Sequence, residues 1–259
     1  MEVKYTKTNS RKKNRKKRKK SKAPIILLLL LVLVVTAVVL LNTVLFPIEK
    51  ITVKGETIYK AEEILNASAI NKGDKLFSIS QSKTKELLTT KLPFIKDVKL
   101  DKKLPNEIII TVTPDVEKFS ISHNNQYVIV TENYKFLEQK AKAKKGTIIV
   151  KGVELVPNEI GKEISFKNED KKEAFLNIIN YLTKYNLTVT GVDVTNLAQL
   201  KATVNSGIEV NFGTSKDIDY KIQYLKAALK TIKEDAKGSM DFSGWTTSNP
   251  KGYFTNLEN

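Results

Sequence analysis

Residues 92–113 read LPFIKDVKLDKKLPNEIIITVT, and they decide the fold of the first half of the chain. Ile95, Val98 and Leu100 lead into the turn residues Lys103, Leu104, Pro105 and Asn106, after which residues 107–113 place Ile108, Ile110 and Val112 on one face. Two β-forming runs around a Pro-Asn turn predict a hairpin. Pro93 closes the helix that precedes it, read over residues 80–91 with Leu87, Leu88 and Leu92 as its apolar positions. Farther upstream, Ile48, Ile51 and Val53 form a short strand ending at Gly55, a helix is expected over 58–65, and Asn71, Lys72, Gly73 and Asp74 form a loop. Strand, helix, helix, strand, strand is the pattern of a small α+β unit, placed at 47–115, with its helices on one face of its sheet.

Immediately before that unit, residues 23–46 contain no charged side chain and consist almost wholly of Leu, Val and Ile. At about 1.5 Å per helical residue such a segment reaches across the ~30 Å hydrocarbon core of a bilayer. It has no polar face to present to a soluble core, so a buried helix of a water-soluble core is the poorer reading. A cleaved signal peptide is disfavoured because the apolar run exceeds the usual ~7 to 15 residues and its end, Leu41 to Phe46, offers no small-x-small cleavage pattern. Residues 1–22 hold twelve basic side chains against Glu2, +11 of the chain's formal +16. A basic excess beside a membrane span is retained on the cytoplasmic side. The expected topology is therefore a short cytoplasmic tail (1–22), one transmembrane helix (23–46) and the bulk of the chain outside, type II in the cell membrane. The basic run at 11–20 is read as topology and lipid contact rather than specific nucleic-acid binding. With no cysteine, the external part has neither disulfides nor thiolate metal sites, and packing alone stabilises it.

A second unit is expected at 116–243. Phe119 and Ile121, then Tyr127, Val128, Ile129 and Val130, flank His123, Asn124 and Asn125, giving a hairpin with a loop of three to five residues. Phe136-Leu137 and Ile148-Ile149-Val150 add strands, with a lysine-rich solvated loop at 140–145 between them. Ala174, Phe175, Ile178, Ile179 and Leu182 form the core stripe of a helix over 169–185. Three strands follow at 189–194, 200–204 and 207–212, around a turn at Asn205, Ser206 and Gly207. A last helix at 217–233 repeats Ile218, Ile222, Leu225, Leu229 and Ile232, with lysines expected on its other side. Gly238, Ser239, Met240, Asp241, Phe242 and Ser243 read as the final strand, and 244–259 as a flexible tail. The fold class is thus α+β: a transmembrane helix, a small β-α-α-β-β unit, and a second mixed α/β unit with a mainly antiparallel sheet.

Chemistry is sparse. One histidine and no cysteine leave no Cys/His pair, no zinc cluster and no H-E-x-x-H, and neither a G-x-S-x-G nor a phosphate-binding loop is present. His123 sits in a turn. The acid pairs Glu62-Glu63 and Glu169-Asp170 fall in the first turns of expected helices, where negative charge favours the helix dipole, and Asp115 with Glu117 completes the carboxylate candidates. No catalytic, cofactor or metal residue is assigned. What remains is surface: a terminal strand that is an edge accepts a partner strand by β-augmentation, and Trp245 is a candidate aromatic anchor beside it.

These residues resemble the FtsQ/DivIB family of bacterial cell division proteins over nearly the whole chain. The stretches 51–55, 61–64 and 73–77 are similar to the opening of that family's POTRA domain, 92–98 with 104–112 to its closing hairpin, and 205–213 leading into 221–225 to its later strand and last long helix. Thr113 stands where that family often has an acid. The resemblance implies a non-enzymatic scaffold at the division septum that joins FtsL-type and DivIC/FtsB-type bitopic partners, with binding near the last strand, residues Gly238 to Ser243 and Trp245, and no cofactor. A POTRA protein of export or envelope assembly, or a secreted wall-active enzyme, is the alternative, although the alternating segments are too few for a membrane barrel.

Overall fold

The structure is a computed structural model that describes residues 1–2, 22–44, 46–156, 159–205, 207–233 and 236–256. The basic run at 11–20, Ser206 of the expected turn and the last three residues lie outside the described ones. Helix α1 spans Ala23–Val44, 22 residues without an acid or base in its end turns. Side chains are described for residues 23–39 of it, and among the described residues no helix is long and apolar enough to cross a membrane.

The first unit follows the pattern drawn from its hairpin. Strand β1 (Lys50–Lys54) lies parallel to β3 (Glu107–Pro114), which pairs antiparallel with β2 (Ile95–Lys103), so the order is β1-β3-β2. Helices α2 (Ala61–Ser68) and α3 (Gln81–Lys91) cover one face. Their Ile64, Ala67 and Leu88 meet Ile108, Ile110, Val112, Ile95 and Val98 in one buried cluster. Helix α2 starts three residues later than its periodicity implied. The Lys60 amide donates to the Glu63 carboxylate at 2.7 Å and opens the helix there, which leaves Ile58 outside it and 73% exposed. Ser80 caps α3, accepting from the Lys83 amide.

Two residues link β3 to the second unit. Its nine-stranded sheet has the order β14-β13-β12-β11-β10-β7-β4-β5-β6. The strands are β4 (Glu117–His123), β5 (Gln126–Thr131), β6 (Phe136–Lys140), β7 (Ile148–Lys151), β10 (Val189–Asp193), β11 (Leu200–Val204), β12 (Ile208–Gly213), β13 (Gly238–Asp241) and β14 (Tyr253–Asn256). A separate pair, β8 (Leu155–Val156) with β9 (Ser165–Phe166), was not foreseen. Five neighbouring pairs are antiparallel, while β7 lies parallel to both β4 and β10, and β12 to β13. The sheet is mixed because the chain crosses over between those strands.

Helices α4 (Glu169–Lys184) and α5 (Ile218–Leu229) pack on one face of this sheet. The expected α4 stripe is buried throughout, with Phe175, Ile178 and Leu182 fully inaccessible. Each fully buried aliphatic or aromatic side chain contributes about 1.5–3 kcal/mol. The hairpin loop between β4 and β5 is shorter than expected: Asn124 and Asn125 form a two-residue turn with φ of 47° and 61°. Asparagine tolerates that left-handed pair, and such a turn matches the twist of the strands it joins. Helix α5 ends at Leu229, four residues before the expected end, and Leu229 and Ile232 are only partly buried.

The two units touch beside their linker. Lys135 donates to the Ile95 carbonyl at 2.7 Å and to the Asp115 carboxylate at 3.1 Å, with both side chains of the ion pair nearly buried.

Candidate interaction surface

The C-terminal end of the large sheet is built on β12. Ile208, Val210 and Phe212 point into the core, and β13 lies parallel beside them, pairing Ile208 with Gly238 and Asn211 with Asp241. The Phe242 amide extends the pairing to the Asn211 carbonyl at 2.8 Å. Met240 and Phe242 are buried, whereas Ser239 and Asp241 are exposed, the alternation of a strand with one covered face. Phe242 stacks on Phe212 with ring centroids 6.3 Å apart and takes the Tyr224 ring edge-on at 5.9 Å.

Here the structure corrects three expectations. First, 244–256 is ordered chain: β14 pairs antiparallel with β13, Ser239 opposite Thr255 and Met240 opposite Phe254. Second, residues 238–241 consequently lie between two strands and are not an edge. Third, Trp245 is no exposed anchor; it is 8% exposed and stacks on Tyr220 at 6.5 Å, and its Nε1 is buried without a hydrogen-bond partner. Gly238 and Gly252 make this closure possible. A β-carbon at Gly238 would stand 2.5 Å from the Thr255 carbonyl oxygen and 2.7 Å from the Phe254 ring, and one at Gly252 would strike the Phe242 ring.

Among the described residues the outermost strand at this end of the sheet is therefore β14, all four of whose residues are exposed. Its aromatics face both ways: Tyr253 lies opposite Asp241 on the outer face and Phe254 opposite Met240 on the helix-covered face, where α5 exposes Tyr220 and Tyr224. The run Tyr253, Phe254, Thr255 carries strong β formers and was the available signal for this strand; four residues between polar neighbours were too few to separate it from a tail.

Electrostatics reinforces the site. Lys221 was grouped with the solvated face of α5, yet it is 3% exposed and its ammonium donates to the carbonyls of Phe212 at 2.7 Å and Thr214 at 3.1 Å. Burial holds this amine below the ordinary lysine range. Its position among Ile218, Ile222 and Leu225 placed it on the apolar stripe, which is the signal that was overlooked. On the opposite face of the sheet, burial acts to raise the Asp241 carboxyl. Hydrogen bonds from the Ser243 side chain and amide outweigh it and, with Asn211 and Lys201, hold it below the usual carboxylate range. Lys201 pairs with Glu209 at 2.9 Å.

The other candidates are not brought together. His123 pairs with Gln126 at the end of the β4–β5 hairpin, and its Nε2 lies 3.1 Å from Asn124 Nδ2. Glu62 and Glu63, and Glu169 and Asp170, occupy the first turns of α2 and α4. Asp115 pairs with Lys135, and Glu117 with Lys144. Among the described residues no three His, Asp or Glu side chains cluster as metal ligands would.

A small three-stranded unit with two helices on one face, followed directly by a mixed sheet that ends in an exposed aromatic edge, defines a two-module class of protein with a POTRA-type first domain. Residues 46–113 match the family described as POTRA domain, FtsQ-type. The chain is 31% identical over 204 residues to the cell division protein DivIB of Clostridium botulinum strain Hall, covering 76% of this chain and 78% of that protein. It is 32% identical over 205 residues to the DivIB of Clostridium acetobutylicum, covering 76% and 80%. The DivIB of Clostridium tetani is 25% identical over 201 residues, covering 76% and 74%. This chain belongs to the FtsQ/DivIB family of cell division proteins.

Proposed function

We propose that this chain is a non-enzymatic scaffold of the division machinery, anchored in the cell membrane by α1 with its amino end in the cytoplasm, which gathers FtsL-type and DivIC/FtsB-type bitopic partners at the septum. Family membership supports the role in division. A 22-residue helix whose last turn completes the length of a bilayer core supports the anchor. The observation that carries the binding reading is β14, the outermost strand at that end of the sheet among the described residues, with Tyr253 and Phe254 exposed on its two faces and Tyr220 and Tyr224 exposed on α5. An outermost strand can present backbone donors and acceptors to an incoming strand, and the aromatics offer contact area. The partner site thus shifts from residues 238–243 and Trp245 to the strand that covers them.

The test places a photo-crosslinking residue at Tyr253 in the full chain, with the same residue at Ile160, which is also exposed, as control. In dividing cells the Tyr253 position is expected to capture a DivIC/FtsB-type protein and a fluorescent fusion to collect at midcell. Uniform membrane staining overturns the division reading. Midcell collection with equal capture from both positions overturns the edge.

A further inference from the structure

The end of the POTRA unit nearest α1 carries exposed apolar side chains that the protein-binding edge does not use. Phe46 follows Val44 by two residues, so it lies no more than about 7 Å from the end of α1. The Leu76 amide donates to the Phe46 carbonyl at 3.0 Å, and the Phe46 and Phe77 rings meet edge to face with centroids 5.3 Å apart. Phe77 nevertheless remains 45% exposed. The β2–β3 turn lies at the same end. Glu107 is opposite both Lys50 and Lys103, and the Glu49 amide donates to the Asn106 carbonyl at 2.9 Å. Leu104 at the tip of that turn is 65% exposed.

Charge around these side chains is organised. The Lys102 ammonium stands 5.9 Å from the Phe77 ring centroid and donates to the Ile79 carbonyl at 2.8 Å, with Lys103 next to it in the chain. The acids at this end are engaged within the unit: Glu107 with Lys50 and Thr52, Glu49 with Asn106, Asp74 with the Asn71 amide. Bulky apolar groups flanked by lysines are the composition that settles at a bilayer interface, rings and aliphatic chains among the headgroups and ammoniums on phosphates.

We infer that the POTRA unit rests on the membrane surface, with Phe77 and Leu104 in the headgroup layer and Lys102 and Lys103 against lipid phosphate. This rests on the reading of α1 as a membrane span. A spanning α1 ends at the interface, and the headgroup layer is about 5–7 Å deep on each side, comparable with the reach of the Val44 to Phe46 connection. The occupant of the patch is then lipid, and the tilt of the whole extracytoplasmic part is set by three points, α1, Phe77 and Leu104.

The chain has no cysteine, so single nitroxide labels can be placed in the full protein reconstituted in lipid nanodiscs. Labels go to Phe77→Cys, Leu104→Cys, Ile58→Cys and Leu33→Cys. Ile58 is also exposed but lies at the far end of the small sheet, near Tyr59, whose hydroxyl accepts from the Phe94 amide. Expected is a several-fold higher collision ratio of lipid-soluble oxygen to aqueous nickel chelate at 77 and 104 than at 58. Leu104→Cys decides alone if the Phe77 variant misfolds. Water-like ratios at 77 and 104 with a lipid-like ratio at 33 overturn the inference and leave the anchor standing. A water-like ratio at 33 overturns the anchor and the inference together. Labels at 77 and 104 shielded from both reagents assign the patch to a protein partner and overturn the lipid occupant.

Discussion

Replacing Lys221 by Met retains the apolar stem that packs beside Ile222 and Leu225 and removes only the ammonium. Two carbonyls then lose a donor, that of Phe212 in a buried setting and that of Thr214 in a partly buried one. An unsatisfied buried acceptor costs about 1–3 kcal/mol, and the more open Thr214 carbonyl recovers part of its loss from water. Relief from burying a cation offsets some of this, so the net expected loss at neutral pH is about 1–2 kcal/mol. At roughly 2–4 °C per kcal/mol for a chain of this size, Tm falls by about 2–8 °C. The pH dependence isolates the lysine. Its folded pKa is depressed by burial, so between that lowered value and the unfolded value of about 10.4 the unfolded chain binds more protons. This side chain's contribution to stability therefore grows as pH rises through the window, and the neutral amine still donates to both carbonyls. Calorimetric melts of both proteins at pH 7 and at about pH 9.5 are expected to show the gap widening. A gap under about 0.5 kcal/mol at neutral pH, or one that stays flat or narrows on alkalinisation, refutes the reasoning.

Gly238→Val is expected to expel β14, because the new side chain collides with the Thr255 carbonyl and the Phe254 ring; hydrogen exchange of residues 253–256 checks it, and unchanged protection there contradicts the packing described. Lys135→Met strands the nearly buried Asp115 carboxylate between the two units and is expected to cost about 1–3 kcal/mol and to loosen their relative orientation, read by denaturant melts and small-angle scattering; Asp115→Asn together with it is expected to recover part of the loss. The Tyr185 hydroxyl donates to Asp219 at 2.7 Å and, with Lys184, holds that carboxyl below its usual range. The stability from this contact is complete above the unfolded value of about 3.9 and is lost as pH falls through the folded one, so Tyr185→Phe is expected to raise the midpoint of acid unfolding. An unchanged acid limb argues against the contact.

The α4 stripe shows why much of the core was legible. Spacings of one, three, one and three are a property of the chain itself, and any fold that buries this helix must bury that face. The closing hairpin was legible for the same reason, since alternation around a Pro-Asn turn leaves one pairing that puts Ile108, Ile110 and Val112 on one side. Trp245 shows the limit. An aromatic after a terminal strand reads alike whether it is a binding anchor or packs on its own domain, and only its burial against Tyr220 of α5 distinguishes the two. Lys221 was misread because charge outweighed position; whether a lysine on an apolar stripe is buried depends on carbonyl acceptors from another element, here the end of β12 and the loop after it.

Local pattern therefore determined the elements of the first unit, most of those of the second, the α+β class and the apolar stretch at 23–46, because periodicity, turn chemistry and charge act between residues close in sequence. Which strand became the edge was decided only in three dimensions. The pairing of residues 238–241 with both 208–211 and 253–256 is a contact between distant segments, made possible where Gly238 and Gly252 leave room for Phe254 and Phe242. Short strands with few side chains carry too little local signal to announce such a partner, so the position of the exposed surface belongs to the tertiary structure.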